Sequence, residues 1–443
     1  MEIRMSLSRY CPVFVITAAI LLLSGCEAPS TVNVNQQVTN SVATNTNTNT
    51  NANNSPAQPV EGVAFTMPLL DAMLTDETFV REARTAVQLT DEEVDKLQTR
   101  ARNAVLELSG DPAEDGSRST RSSTEEAMKE VRDVLGNERG NRFIAFVQQK
   151  WAGDSAPVTA KPNAVPTDTR VIVNIPAYRM DLFHDGKLVK SYKIGIGYPE
   201  FPLPTGLRKA NTIIFNPTWT PPDEPWVKGK VAPGKTVEAG DKLNPLGPIK
   251  IPIGLPSLIH GGKAPARLGT FASHGCVGLT NGQIQDFASE ISNLAGKPLS
   301  LQDIKAYEKK KTETEEVKLG TDINVELRYE TIVVENGVLK IYRDVYERGT
   351  NTEENLQRIL AEYGVQLDSL DAPTKEKLLQ AIEDMAVDAS GKPVETNQNS
   401  NIKGNSNASG NVTRNIKGKK EIAITIPQLA GKGYPAPVDL RAN

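Results

Sequence analysis

The sequence predicts a mainly β domain over residues 168–346, flanked by α-helical segments and by low-complexity linkers. Three observations lead there. Arg170–Ile175 alternates, with Val171, Val173 and Ile175 on one face, the period of a half-buried strand. Asp185-Gly186 and Asn336-Gly337 each separate two short strand-like runs, and both dipeptides favour the tight turn of a two-residue hairpin. On either side of this region the apolar residues recur at helical spacing instead. Short strands with many Pro and Gly turns favour a sandwich or barrel-like arrangement of sheets.

The elements follow in chain order. Residues 1–25 read as a signal peptide: Arg4 and Arg9 precede the short apolar stretch Pro12–Leu23, and the small residues Ser24 and Gly25 lead to Cys26. The Leu23-Ser24-Gly25-Cys26 run resembles a bacterial lipobox. That resemblance implies cleavage before Cys26, lipid on its sulfur and acylation of its amine, and several acyl chains anchor firmly where one is marginal. Glu27, rather than Asp, after Cys26 resembles the sorting pattern of outer-membrane lipoproteins. The expected location is therefore outside the cytoplasm, membrane-anchored and facing the periplasm and cell wall.

Residues 26–60 are the lipid-anchored linker, rich in Asn, Thr, Ser and Gln and too polar to pack. About thirty such residues span roughly 30 Å on average, which suits a tether from membrane to wall. Residues 61–152 form a helical domain. Thr90 and Glu93 make a capping box, followed by Val94, Leu97, Ala101, Val105 and Leu108 at helical spacing. No reactive constellation lies in it, so it reads as a packing or docking domain with an envelope protein as its candidate partner.

A Pro-containing connector then leads to a catalytic domain at 168–303, in which one helix is expected. Thr280 and Gln283 cap it, and Ile284, Phe287, Ala288 and Ile291 form its apolar face. Residues 304–346 are expected to extend the β domain. Residues 352–388 return to helix, and 389–443 read as a disordered tail containing one unplaced apolar run, Ile422–Ile426.

Composition narrows the chemistry. With 50 Lys and Arg against 54 Asp and Glu, no basic excess points to nucleic acid. Three cysteines and three histidines exclude a disulfide framework and a multi-cysteine metal cluster. Cys11 is lost with the signal peptide and Cys26 is blocked by lipid, which leaves Cys276 as the one free thiol. It stands in Ser273-His274-Gly275-Cys276-Val277, sixteen residues after His260 in Leu258-Ile259-His260-Gly261-Gly262. A thiol needs a base to become a nucleophile near neutral pH, and glycines let a substrate carbonyl approach backbone N–H groups. Nucleophile, base and Gly-rich backbone are the parts of an acyl transferase. Two His and one Cys also satisfy a catalytic zinc by number, but the Gly-rich spacing speaks for thiol chemistry, with no metal and no cofactor.

The His and Ser-His-Gly-Cys pattern resembles the L,D-transpeptidase (YkuD-like) family, in its periplasmic branch. Gly195-Ile196-Gly197, Pro204-Thr205-Gly206, Asn216–Pro222 and Leu327–Tyr346 resemble further segments of that branch. The resemblance spans roughly 168–346. It implies a β-sandwich of mixed sheets and acyl transfer from the tetrapeptide stems of peptidoglycan. In that reading Cys276 attacks the carbonyl before the terminal D-Ala, and His260 is the base, oriented by the Gly261 carbonyl. The Gly275 and Cys276 N–H groups serve the oxyanion, and Ser273 and His274 shape the pocket, His274 in support rather than as base. An acceptor amine then forms a 3–3 cross-link or attaches a protein to the wall.

The sequence departs from the family pattern at Gly278, where many members have Arg. Lys263, Arg267 or Arg208 are candidates to supply the missing cation on the substrate side, and Trp219 and Trp226 to line the cleft or pack in the core. Two other readings of the residues stay open: an L,D-carboxypeptidase, in which water resolves the thioester, and a non-catalytic wall-binding lipoprotein that keeps the fold.

Overall fold

The computed structural model describes residues 63–108, 117–152, 161–220, 235–254, 256–394, 411–412 and 415–440. The signal peptide, Cys26, the Asn/Thr linker and Trp226 lie outside the described residues. Among those described, no helix is long and apolar enough to cross a membrane.

Five helices open the structure: α1 (Met67–Leu74), α2 (Glu77–Val87), α3 (Asp91–Leu106), α4 (Thr120–Leu135) and α5 (Asn137–Ala152). The two-residue strand β1 (Ser117–Arg118) lies between α3 and α4. Each of the first four helices starts at a Ser, Thr or Asp whose side chain accepts a backbone N–H, and Thr90 with Glu93 forms the reciprocal capping box. Val94, Leu97 and Ala101 of α3 pack with Phe143, Val147 and Trp151 of α5 in one core.

The central domain is built on an eight-stranded sheet. Its strands are β2 (Arg170–Asn174), β3 (Arg179–His184), β4 (Lys187–Lys193), β6 (Gly206–Phe215), β7 (Ile249–Pro252), β8 (Leu258–His260), β10 (Val277–Gly278) and β11 (Glu315–Arg328). Their spatial order is β10-β8-β7-β6-β11-β2-β3-β4, parallel at β10/β8 and β11/β2 and antiparallel elsewhere. A second, parallel pair joins β5 (Ile196–Gly197) to β9 (Phe271–Ser273). Gly195 and Gly278 exchange two backbone hydrogen bonds of 2.9 Å, so this pair closes against the β10 edge. Helix α6 (Asn281–Leu294), with its Thr280–Gln283 capping box, buries Ile284, Phe287 and Ile291 in the core between these layers. Helix α7 (Leu301–Lys309) follows. The mainly sheet domain with flanking helices is the fold class predicted.

Two boundaries differ from the sequence reading. Residues 304–346 are not a single extension. β11 sits in the middle of the main sheet, between β6 and β2, because its Val325 and Leu327 belong to the same core as Val171 and Val173. Beyond it, β12 (Ile332–Glu335) and β13 (Val338–Tyr342) form the Asn336-Gly337 hairpin, both turn residues at positive φ. Helices α8 (Glu353–Glu362) and α9 (Ala372–Met385) pack on that hairpin. Residues 389–443 are not a disordered tail throughout. β14 (Asn411–Val412) pairs with β1, and the unplaced apolar run becomes β15 (Glu421–Thr425), antiparallel to β13. Ile424 and Ile426 fill the core under α8 and α9, apolar area that the hairpin by itself leaves uncovered. The chain then returns to the main sheet. Tyr434 donates to Asp181 at 3.0 Å, and Arg179 bonds Asp181 at 2.8 Å, Glu335 and the Pro435 carbonyl.

The helical domain docks on the loop after β5. Thr66 Oγ1 donates to the Glu200 carbonyl at 2.7 Å, Thr120 Oγ1 to the Pro199 carbonyl at 2.8 Å, and the Arg118 N–H to the Glu200 carboxylate at 3.1 Å. Gly206 makes this approach possible. Its φ is +130°, and a Cβ placed there would stand 1.8 Å from the Ala152 carbonyl oxygen at the end of α5. Gly206→Ala is therefore expected to cost roughly 2–4 kcal/mol, combining backbone strain with a steric clash. Thermal unfolding checks this; an unfolding curve matching that of the unaltered chain would contradict the docking described.

Candidate active site

The site follows from one strand pairing. β8 and β10 run parallel, with Val277 opposite Ile259 and Gly278 opposite His260. Val277 and Ile259 are buried in the core, so by strand alternation the residues on either side of them face the opposite way. Leu258, His260 and Cys276 consequently line the same cleft, of about 770 Å³. Cys276 is half-buried there and His260 is 3% exposed.

The turn between β9 and β10 shapes the nucleophile. Gly275 takes a φ of +90°, open to glycine at no steric cost, and its carbonyl accepts the Ser257 hydroxyl at 2.9 Å. Ser273 Oγ donates to the Cys276 carbonyl at 2.5 Å and accepts the Cys276 N–H at 3.1 Å. That second bond corrects one expectation. The Cys276 N–H is engaged by Ser273, which leaves the Gly275 N–H as the candidate oxyanion donor on this turn.

His260 Nδ1 lies 2.7 Å from the Gly261 carbonyl. A carbonyl only accepts, so Nδ1 carries the proton and Nε2 is the basic nitrogen. Burial pulls the ring's pKa down to about 3, Lys263 adding in the same direction while the Gly261 and Leu246 carbonyls oppose them. Burial pushes the Cys276 thiol up, against the Leu258 backbone and Lys263, which both pull it down. At neutral pH the resting pair is a neutral imidazole and a thiol, whose hydrogen-bonding neighbour is the Leu258 backbone. A thiol and a neutral imidazole lining one cleft are the residue types that cysteine acyl transfer uses as nucleophile and base.

The other predicted residues fall in three places. Lys263, Ser273, His274, Gly275 and Trp219 all line the cleft with Cys276. The His274 ring is packed edge-on between Tyr198 and Phe201, at 5.0 and 4.8 Å between centroids, as a wall of the pocket. Arg267 is not brought into the cleft: its guanidinium donates to Tyr198 Oη at 2.9 Å and to the Phe271 carbonyl at 2.8 Å, behind the aromatic wall. Arg208 is buried with its guanidinium over the Trp151 ring, 5.4 Å from the centroid. His184 ends β3 exposed at the Asp185-Gly186 turn, 2.9 Å from Thr169 Oγ1.

Sequence reasoning missed the opposite wall. Leu69, Asp71 and Ala72 of α1, Arg102 of α3 and Trp151 of α5 line the same cleft as Cys276. Asp71 is buried and paired with Arg102 at 3.2 Å. Nothing in the helical periodicity marks these residues, because their place depends on how the domain docks. Among the described residues, no group of three or more His, Cys, Asp or Glu side chains is placed to hold a metal ion.

A thiol and an imidazole at the ends of neighbouring strands, with a Gly-rich turn beside them, define a cysteine acyl-transfer centre on a mixed-sheet scaffold. Residues 168–325 match the family model of the L,D-transpeptidase catalytic domain, YkuD. Among solved structures, the catalytic domain of the E. faecium L,D-transpeptidase is 17% identical, covers 37% of this chain and all of its own, and has a TM-score of 0.25. An L,D-transpeptidase from Mycobacterium smegmatis is 14% identical over 36% of this chain and 58% of its own (TM-score 0.22). L,D-transpeptidase 3 from Mycobacterium tuberculosis, in complex with a faropenem-derived adduct, is 15% identical over 36% and 60% (TM-score 0.22). The chain thus spans less than two thirds of the length of these two mycobacterial structures. No curated protein matches the chain.

The depressed pKa of His260 has a consequence for stability. The folded ring stays neutral down to about pH 3, whereas the unfolded ring takes up a proton near 6.5. Between those values the unfolded state binds more protons, so stability falls as the pH drops through that window. In His260→Gln this part of the fall should be missing. Thermal unfolding temperatures measured from pH 7 to pH 4 for both proteins check it; parallel curves would refute the buried neutral imidazole.

Proposed function

We propose that the chain is a peptidoglycan L,D-transpeptidase, exported and held at a membrane by lipid on Cys26, acting on tetrapeptide stems. The observation that carries the catalytic part is the shared cleft of Cys276 and His260, set by the pairing of β8 with β10. The Cys276 sulfur adds to the carbonyl preceding the terminal D-Ala, and its proton passes to His260 Nε2. The oxyanion is met by the Gly275 N–H. Collapse breaks the carbon–nitrogen bond, His260 returns the proton to the leaving D-Ala amine, and a thioester remains. An acceptor amine then enters where D-Ala left and reverses these steps. The product is a 3–3 cross-link or a protein joined to the wall.

Cleft shape supports a peptide substrate. One wall is the aromatic set Tyr198, Phe201 and His274, the other is the helical face around Leu69, and Trp219 lines the cleft with them. A helical domain with a face on the catalytic cleft serves the enzyme's own substrate binding, and any envelope partner would use its remaining surface. The Leu-Ser-Gly-Cys run supports the lipid anchor, and the Asn/Thr linker gives reach toward the wall.

Incubation with disaccharide-tetrapeptide tests the catalytic reading. Free D-Ala and a mass increase on the Cys276 peptide equal to the disaccharide-tripeptide acyl group are expected, followed by dimers. Cys276→Ala should lower turnover by more than about a thousandfold, the scale of losing a covalent nucleophile. D-Ala release that survives in Cys276→Ala would overturn the assignment, and tripeptide without dimers would make the enzyme a carboxypeptidase. Loss of labelled fatty acid in Cys26→Ala tests the anchor.

A further inference from the structure

Lys263 shares the cleft with the thiol and the imidazole. Its backbone N–H donates to the Leu279 carbonyl at 3.0 Å, which fixes the residue beside the strand end that follows Cys276. From there its side chain crosses the face of Gly278. A Cβ built on Gly278 would stand 2.8 Å from Lys263 Cγ, 2.9 Å from Cε and 3.4 Å from Cδ. The lysine methylenes occupy the space that a side chain at 278 would need, so the glycine and the lysine are a matched pair.

This arrangement decides where the charge goes. Cys276 and Gly278 flank Val277, whose side chain is in the core, so both face away from it toward the cleft. A side chain laid over Gly278 therefore carries its ammonium along the face that holds the sulfur. Lys263 acts electrostatically on Cys276 and on His260, and Arg267 acts on Lys263 from behind the aromatic wall. The remaining charged groups lining the cleft are Lys250 and the Asp71–Arg102 pair. Among the described residues Lys263 forms no ion pair with a carboxylate, so no acidic side chain quenches its charge.

We propose that Lys263, laid across Gly278, is the positioning cation that stabilises the Cys276 sulfur as its negative charge develops. Lys263 keeps its proton throughout. The thiol proton goes to His260 Nε2 and then to the leaving amine, while the ammonium offsets charge on sulfur before the carbon–sulfur bond forms and again when the acceptor amine has added and the Cys276 thiolate is expelled. The need arises from burial: His260 carries the proton only in passing, because a standing imidazolium is disfavoured there, so the lasting charge beside the sulfur comes from a second residue. The inference deepens the acyl-transfer reading of the same site, but its test reads thiol reactivity without peptidoglycan and so stands or falls separately.

The experiment is the pH dependence of iodoacetamide alkylation in the full chain, followed on the Cys276 peptide by mass spectrometry. Lys263→Met keeps an unbranched stem over Gly278 and removes the charge; Lys263→Arg keeps the charge. In Lys263→Met the midpoint of the rate profile should rise by about one pH unit, and the rate at pH 7 should fall about tenfold. Lys263→Arg should restore most of both. The advantage of the unaltered chain should also shrink above about pH 8, where burial has brought the lysine's own pKa. A purely structural lysine would change thermal stability and leave the midpoint in place, and an unshifted midpoint in Lys263→Met overturns the proposal. If Lys263→Met fails to fold, Lys263→Gln is read by the same criterion.

Discussion

The parallel pairing of β8 with β10 is the constraint on which the site depends. These strands are short, and what holds their register is the burial of Ile259 and Val277 side by side in the core. Each fully buried aliphatic side chain of this size contributes about 1.5–3 kcal/mol, against about 0.5–1.5 kcal/mol net for a single ladder hydrogen bond. A slip of one residue would turn His260 and Cys276 into the core and bring their apolar neighbours out. Chemistry and packing are therefore specified by the same two residues. Gly195 locks the arrangement from the other side through its paired hydrogen bonds to Gly278.

Around that pairing the charges are arranged without a carboxylate. His260 is oriented by a backbone carbonyl, which fixes the tautomer while adding no negative charge. The ring stays neutral and the thiol stays protonated until substrate arrives, so the nucleophile is protected at rest. The proposed export places the chain under oxidising conditions, where a standing thiolate is the form that reacts first. The cost is a weaker resting nucleophile, which a cation close to the sulfur offsets.

Much of this was legible in the sequence, for identifiable reasons. Hairpins at Asp185-Gly186 and Asn336-Gly337, and caps at Thr90 and Thr280, depend on residues within a few positions of one another, so local chemistry decides them. Cys276 and His260 stood out because reactive side chains are so scarce in this chain. The central place of β11, the strand β15 and the helical wall of the cleft were not legible. Each is fixed by partners far away in sequence: β11 by β2 and β6, β15 by β13, and α1 by the loop after β5. The tail misled because its Asn-, Ser- and Gly-rich start reads as linker, and the apolar alternation of Ile422, Ile424 and Ile426 does not say which strand it pairs with. Arg267 misled because a guanidinium near a motif looks available until the Tyr198 hydroxyl and the Phe271 carbonyl are seen to accept from it.

The central claim, that strand pairing delivers one thiol and one imidazole to the same peptide carbonyl, is tested most directly by a crystal structure of the protein trapped with a stem peptide as its acyl-enzyme. The account predicts the acyl carbon on Cys276 Sγ, its carbonyl oxygen facing the Gly275 N–H, and His260 Nε2 within hydrogen-bond reach of the position where the amine leaves and enters. An acyl group on any other side chain, or a His260 ring turned away from that carbonyl with β8 and β10 still paired, would contradict it.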